Sequence, residues 1–182
     1  MSVQRQRLEV LAAGLDDIAV YAALGRAAEA WLRSRGLSQY VPAAHEEYAA
    51  AIRSRAESGS LYAVRDGGEA IGFFSLDASP SPWWPADETH ALYLAGMVVA
   101  RTARGRGIGS FIIEWCVAEA ARLERQGVRL DCHAGNLWLR RYYEAHGFQL
   151  WGQVEQHPGY YGCLYQRDVA SADHGAIHGN NA

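Results

Sequence analysis

The chain predicts an α/β fold, a mixed sheet with helices on both faces. Three observations carry this. Short β-prone runs interrupt longer stretches of helical periodicity along most of the sequence; Asp66-Gly67-Gly68 between two such runs is a hairpin signal; and the apolar run Ala91–Val99 leads through a glycine-rich turn into an amphipathic segment. An uncharged apolar run of that length reads as a strand buried on both faces.

The elements follow in order. A first strand is expected near Leu8–Ala12, then a helix from Asp16 to Arg35 stopped by Gly36, then a second helix from Pro42 to Ser58. The hairpin pairs Leu61–Arg65 with Ala70–Leu76, because a turn of two glycines accepts the positive φ angles that a tight hairpin needs. After a loop rich in proline and tryptophan, Ala78–Glu88, come the buried strand and a helix from Ile108 to Gln126, whose apolar stripe starts Ile108, Ile112, Trp115. Val128–Cys132 forms the next strand, Asn136–Ala145 a short helix, and Phe148–Val154 and Gly162–Gln166 the closing strands. At 182 residues one domain over 1–169 is expected, with the small, polar 170–182 as a fraying tail. His174 and His178 are spaced to share a helix face, but the glycines beside them weaken any helix there, so no metal site is expected.

Composition excludes several function classes. All 17 basic residues are arginine, which removes any mechanism built on a lysine Schiff base. A net charge of −3 lacks the general basic footprint of a nucleic-acid binder. Ala91–Ala100, the longest uncharged apolar stretch, is about half of what a membrane span needs, and the N-terminus has no continuous apolar run, so a cytoplasmic protein is expected. The cysteines Cys116, Cys132 and Cys163 are odd in number and lack metal-ligand spacing, which suits buried thiols.

The turn Arg104-Gly105-Arg106-Gly107-Ile108-Gly109, with Ser110 after it, stands between a strand and a helix, where unpaired N–H groups and the positive helix end attract an anion. The residues alone admit a bare tight turn, a dinucleotide site with Asp131 as ribose ligand, or the diphosphate of coenzyme A. The glycine spacing and the short remainder of the chain disfavour the dinucleotide.

Arg104, Gly107 and Gly109 match the cofactor-loop pattern Arg/Gln-x-x-Gly-x-Gly/Ala, and Asn136, Tyr142, Tyr143, Glu144, Gly147 and Phe148 follow the run Asn-x-x-Ala-x-x-Leu-Tyr-Glu-x-x-Gly-Phe, with Leu139 where alanine is usual. On these two patterns the chain resembles the GNAT superfamily of N-acetyltransferases over roughly Leu8–Gln166. The resemblance implies a mostly antiparallel sheet of about six to seven strands and acetyl-CoA as cofactor. It implies that Met97, Val98 and Val99 hold the pantetheine arm through their backbone, that Arg104–Ser110 takes the diphosphate, and that Asn136 bonds the cofactor. It gives Tyr143 the role of general acid toward the departing thiolate, where a phenol suits because it is protonated at neutral pH. Its neighbour Tyr142 reads as a core aromatic.

The general base is less determined. Glu88 and His90 rank first, with Asp77 and Asp131 as further carboxylates at strand ends. For the acceptor, Trp83, Trp84 and Asp87 in the proline-stiffened loop suit a cationic small-molecule amine such as an amino-sugar antibiotic or a polyamine, although the two tryptophans would equally cover the sheet edge. A protein N-terminus or lysine is the second acceptor class, and a silent acyl-CoA-binding module the alternative function. Trp151, Tyr160 and Tyr161 would form either the far wall of the acceptor cleft or a homodimer interface.

Overall fold

The computed structural model describes residues 8–37, 45–85 and 90–169. Its elements are β1 (Leu8–Ala12), α1 (Ile18–Ser34) after a 3-10 turn at Leu15–Asp17, α2 (His45–Ser58), β2 (Leu61–Asp66), β3 (Glu69–Asp77), β4 (Leu92–Val99), α3 (Ile108–Arg122), β5 (Gly127–His133), α4 (Leu137–Ala145), β6 (Gln149–His157) and β7 (Tyr160–Asp168). One seven-stranded sheet has the order β1-β2-β3-β4-β5-β7-β6. Every neighbouring pair is antiparallel except β4 and β5, which α3 joins as a crossover.

Side-chain alternation divides the core between the two faces. Val64, Phe74, Leu92, Leu94, Leu130 and Cys132 point to the α3 side, where Ile108, Ile112, Ile113, Cys116 and Ala120 meet them. Their neighbours Leu61, Ala63 and Phe73 point the other way, against Tyr21 of α1 and Ile52 of α2. Beyond α1 and α2, that second face is covered by the loop after β3, whose Trp84 packs on Tyr93 and Leu164.

Several boundaries differ from expectation for local reasons. The stripe of α3 runs through Ile112, Ile113 and Cys116, while Trp115 is only half-buried. That helix ends at Arg122, because Glu124 takes φ +54° and the Arg125 N–H returns to the Ala120 carbonyl. At its start, α1 is organised by Asp17 rather than Asp16: the Asp17 carboxylate accepts from the Gly14 N–H and pairs with Arg65 at 2.6 Å. The start expected for α2 at Pro42, the loop end at Asp87 and Glu88, and the tail 170–182 lie outside the described residues.

Candidate active site

The site begins with a fault in β4. Between the pairs Phe73↔Val98 and Ser75↔Ala95, β4 advances one residue more than β3, a bulge at Gly96–Met97. Gly96 takes φ +60°, and its carbonyl accepts from the Tyr21 hydroxyl at 3.1 Å, so α1 pins the bulge. The ladder between β4 and β5 comprises only Leu92↔Val128 and Tyr93↔Arg129. Beyond it the strands part, and Met97–Val99 turn a row of backbone groups into the split.

At the end of β4 the chain passes Arg101–Ala103 as a 3-10 turn and enters the glycine-rich loop. Gly105 and Gly107 hold φ +77° and +74°, and no atom lies within 4 Å of where either would carry a Cβ. The loop face is therefore open, and left-handed backbone there calls for glycine. Gly107 caps α3, its carbonyl accepting from the Phe111 N–H at 2.9 Å. The N–H groups of Ile108, Gly109 and Ser110 precede the first intrahelical bond and point out of the positive helix end. These residues fit a diphosphate. The two arginines are partly committed elsewhere: Arg106 pairs with Asp66, and the Arg104 guanidinium stacks over Trp31 at 4.4 Å.

Gly109 has a different reason to be glycine. A Cβ there would lie 2.5 Å from the Tyr142 hydroxyl, which is also 3.5 Å from Ser110 Oγ. His146 closes the group, with Nε2 2.8 Å from Ser110 Oγ and Nδ1 2.7 Å from the Tyr142 carbonyl oxygen. The latter contact needs a proton on Nδ1, so neutral His146 accepts the serine hydroxyl at Nε2. Tyr142, expected in the core, thus reaches the cofactor loop. Tyr143 is the more buried of the two, at 6% exposure, packed edge-on to Phe148 in the cluster that includes Leu94 and Cys132 from the two parting strands. Asn136 Oδ1 accepts from the Leu139 N–H at 3.1 Å and starts α4 as its cap.

On the opposite face lies a cleft of about 480 Å³, walled by Ser54, Arg55 and Ser58 of α2, by the 78–84 loop, and by Ala95 and Asp131 at the split. Asp131 stands two residues past the last β4–β5 pair, where its carboxylate accepts from Gln156 Nε2 at 2.9 Å. Burial raises its carboxyl above the ordinary value, against a smaller opposing effect of the Gln156 bond. Tyr160 is pushed up to about 12, first by burial and then by the charge of Asp131. Asp77, in contrast, is held by Arg55 at 2.9 Å and by the Ser60 hydroxyl at 2.6 Å.

Of the acceptor residues expected from the sequence, Trp83 and Trp84 pack in one cluster with Tyr93 and Leu164, Trp84 lines the cleft, and Asp87 lies outside the described residues. Trp84 is buried, and its ring already carries a cation: the Arg129 guanidinium lies 4.5 Å from it and bonds Gln166 and Tyr93. Trp83 meets His157 edge-on. Trp151 packs at a tilt on Trp84, and Tyr160 packs on His133 and on His157, which in turn meets Trp83. His90 is exposed at the far end of β4 from the bulge, its carbonyl bonded by the Gln126 N–H. It is not brought together with Tyr143. Arg55 and Gln156 were missed in the sequence; each reaches the cleft from a distant element, and no local pattern marks them.

A mixed sheet whose parallel strands part beside a glycine-rich helix start offers a slot for a slender arm and a seat for a diphosphate, the architecture of an acyl-CoA-dependent acyltransferase. The acetyltransferase (GNAT) family model matches residues 26–148, and the chain belongs to that family. It is an N-acetyltransferase that uses acetyl-CoA. It is 27% identical over 154 residues to the uncharacterized N-acetyltransferase YesJ of Bacillus subtilis (strain 168), spanning 81% of this chain and 82% of that protein. Among solved structures, a GNAT-family acetyltransferase from Listeria monocytogenes shares the fold at TM-score 0.73 and 23% identity, covering 93% of this chain and 99% of that one. The yncA protein of Salmonella typhimurium, solved with its cofactor acetyl-CoA, shares it at TM-score 0.60 and 14% identity, covering 91% and 96%. Among the described residues no helix is long and apolar enough to cross a membrane.

Proposed function

We propose that the enzyme acetylates a primary amine on a cationic small molecule, of the amino-sugar or polyamine kind, with Asp131 as general base and Tyr143 as general acid. The observation that carries this reading is the position of Asp131 at the mouth of the split, inside a cleft of about 480 Å³. That volume suits a small molecule. The carboxylates of the cleft differ in kind: Asp77 is neutralised by Arg55, while the bonded partner of Asp131 is a neutral amide. An ammonium entering the cleft would find Asp131 as its counter-ion, lose its proton there, and attack the thioester as the free amine. The C–N bond forms as the C–S bond breaks, Tyr143 gives its phenolic proton to the leaving sulfur, and the proton that the nitrogen sheds on becoming an amide restores the phenol. Backbone N–H groups along Met97–Val99 would polarise the carbonyl, and those of Ile108–Ser110 would hold the diphosphate. Asp131 takes the base role ahead of Glu88 and His90.

A panel of amines with acetyl-CoA, following released thiol, tests the reading. Cys116, Cys132 and Cys163 are buried and burial raises each thiol, so the enzyme itself adds no background to a thiol reagent. Small cationic amines should turn over, and Asp131→Asn should lower kcat/KM by about 10² to 10⁴ and remove the acidic limb of its pH profile. Turnover confined to peptide N-termini or lysines would reject the acceptor class. A normal Asp131→Asn profile beside an inactive Glu88→Gln would move the base to Glu88.

A further inference from the structure

Trp138 is the most exposed of the large hydrophobic side chains on the described surface, at 66%. It lies nearly parallel to Tyr142, with ring centroids 5.5 Å apart and planes 13° apart. Tyr142 in turn packs on the His146 ring at 4.4 Å. The spacing of four residues stacks the three rings in a column along α4. The inner end of that column is fixed, because the Tyr142 hydroxyl and His146 Nε2 both reach Ser110 at the start of α3. Its outer end is an indole with a bare face. Arg141, also exposed, is three residues on from Trp138 and shares its side of the helix.

We propose that Trp138 and Arg141 form the subsite for the 3′-phosphoadenosine end of acetyl-CoA, with the purine stacked on the indole and the 3′-phosphate paired with the guanidinium. The inference rests on the reading of Arg104–Ser110 as the diphosphate site. A cofactor held there has its pantetheine arm in the split between β4 and β5, so its nucleoside must leave in the other direction, past the side chains that border the loop. The ring column begins at that border. A purine is a flat apolar surface that stacks on an aromatic ring with about 1 to 3 kcal/mol, whatever its hydrogen-bonding edge. A phosphate beside it needs a planar cation able to pair bidentately, which arginine supplies. An indole left open to water for no partner is a solubility cost, and the column makes it continuous with a site that holds a nucleotide.

The test uses titration calorimetry with four ligands: acetyl-CoA, its 3′-dephospho form, adenosine 3′,5′-bisphosphate and S-acetyl-4′-phosphopantetheine. Trp138→Ala should weaken acetyl-CoA and the adenosine bisphosphate by about ten- to a hundredfold and leave the phosphopantetheine thioester within about twofold. Trp138→Phe should recover most of the loss. Arg141→Gln should weaken acetyl-CoA but not its dephospho form. Affinities unchanged from the parent for all four ligands in Trp138→Ala would overturn the proposal, as would a change confined to the oligomeric state, which would make the indole an interface between two copies. Gly107→Asp separates the two levels of inference: it should weaken the phosphopantetheine ligand as well. If it weakens none of the ligands, the loop reading has failed; if it weakens all while Trp138→Ala weakens none, only the adenosine subsite has.

Discussion

Replacing Gly107 by aspartate sets folding and cofactor binding against each other at one position. No atom lies within 4 Å of the new Cβ, so the substitution meets no clash, and the folding penalty is that of holding a Cβ-bearing residue at φ +74°, about 1 kcal/mol. A carboxylate in the first turn of α3 interacts favourably with the helix dipole and returns about 0.3 to 1 kcal/mol. The two nearly cancel, and Tm should stay within about 2 to 4 °C of the parent. Binding has no such compensation. One negative charge about 5 Å from a diphosphate carrying about two, at an effective dielectric of about 40, is repelled by about 3 kcal/mol, two orders of magnitude in Kd. Calorimetry with acetyl-CoA, with circular dichroism and a thermal melt on the same sample, reads both quantities. A Kd within about threefold of the parent, in a protein with a native spectrum, would refute the assignment of the loop.

Tyr143→Phe keeps the buried ring and removes one hydroxyl, so kcat should fall by about 10² to 10⁴ while KM for acetyl-CoA barely moves. The exposed Tyr161→Phe is the control, since Tyr142 touches the cofactor loop; retention of more than about half of kcat with chemistry rate-limiting would remove the acid role. Asp131→Asn should lose activity without losing stability. Burial raises the folded carboxyl above its unfolded value, so its favourable contribution is complete below the unfolded pKa and is lost as pH rises through the folded one. At pH 7 the asparagine variant should therefore melt no lower than the parent, with any advantage vanishing toward pH 3 to 4; a clear drop at pH 7 would contradict the burial argument. Gly127→Ala should be the most damaging of these changes, because its Cβ would collide with the Arg167 carbonyl oxygen and stand 2.9 Å from Asp168 Cα, both backbone atoms of β7. A loss of about 2 to 3 kcal/mol is expected in urea unfolding, and a loss under 1 would show that β7 yields easily.

Elements governed by local chemistry were legible in the residues. Gly67 and Gly68 close the β2–β3 hairpin with positive φ, Gly36 stops α1 the same way, and Asn136 caps α4. The bulge was hidden because Gly96 sits in an otherwise unbroken apolar run, and the run's hydrophobicity says that β4 is buried without saying that it bends. Residues whose roles depend on distant partners were harder. Arg129 reads as an anomaly in a buried strand until Tyr93, Gln166 and Trp84, from three other segments, are seen around it. The same holds for Asp131, whose place beside the split depends on where β4 leaves β5. For Trp84 the sequence left open whether it lines a cleft or covers the sheet, and its ring both borders the cleft and carries the protein's own Arg129.

The bulge gives the sheet an edge in its interior. From Ala95 onward β4 is fourth of seven strands, yet one row of its amides faces no neighbour in β5. Edge strands on a protein's rim recruit other chains and are usually blunted. This one sits at the bottom of a slot between two layers of helices and loops, where a folded partner cannot reach and only a slender chain carrying its own amide groups can lie down. In a hydrogen–deuterium exchange experiment the middle of the sheet should therefore exchange as fast as a rim in the empty enzyme, and slow to the pace of a core once the slot is filled.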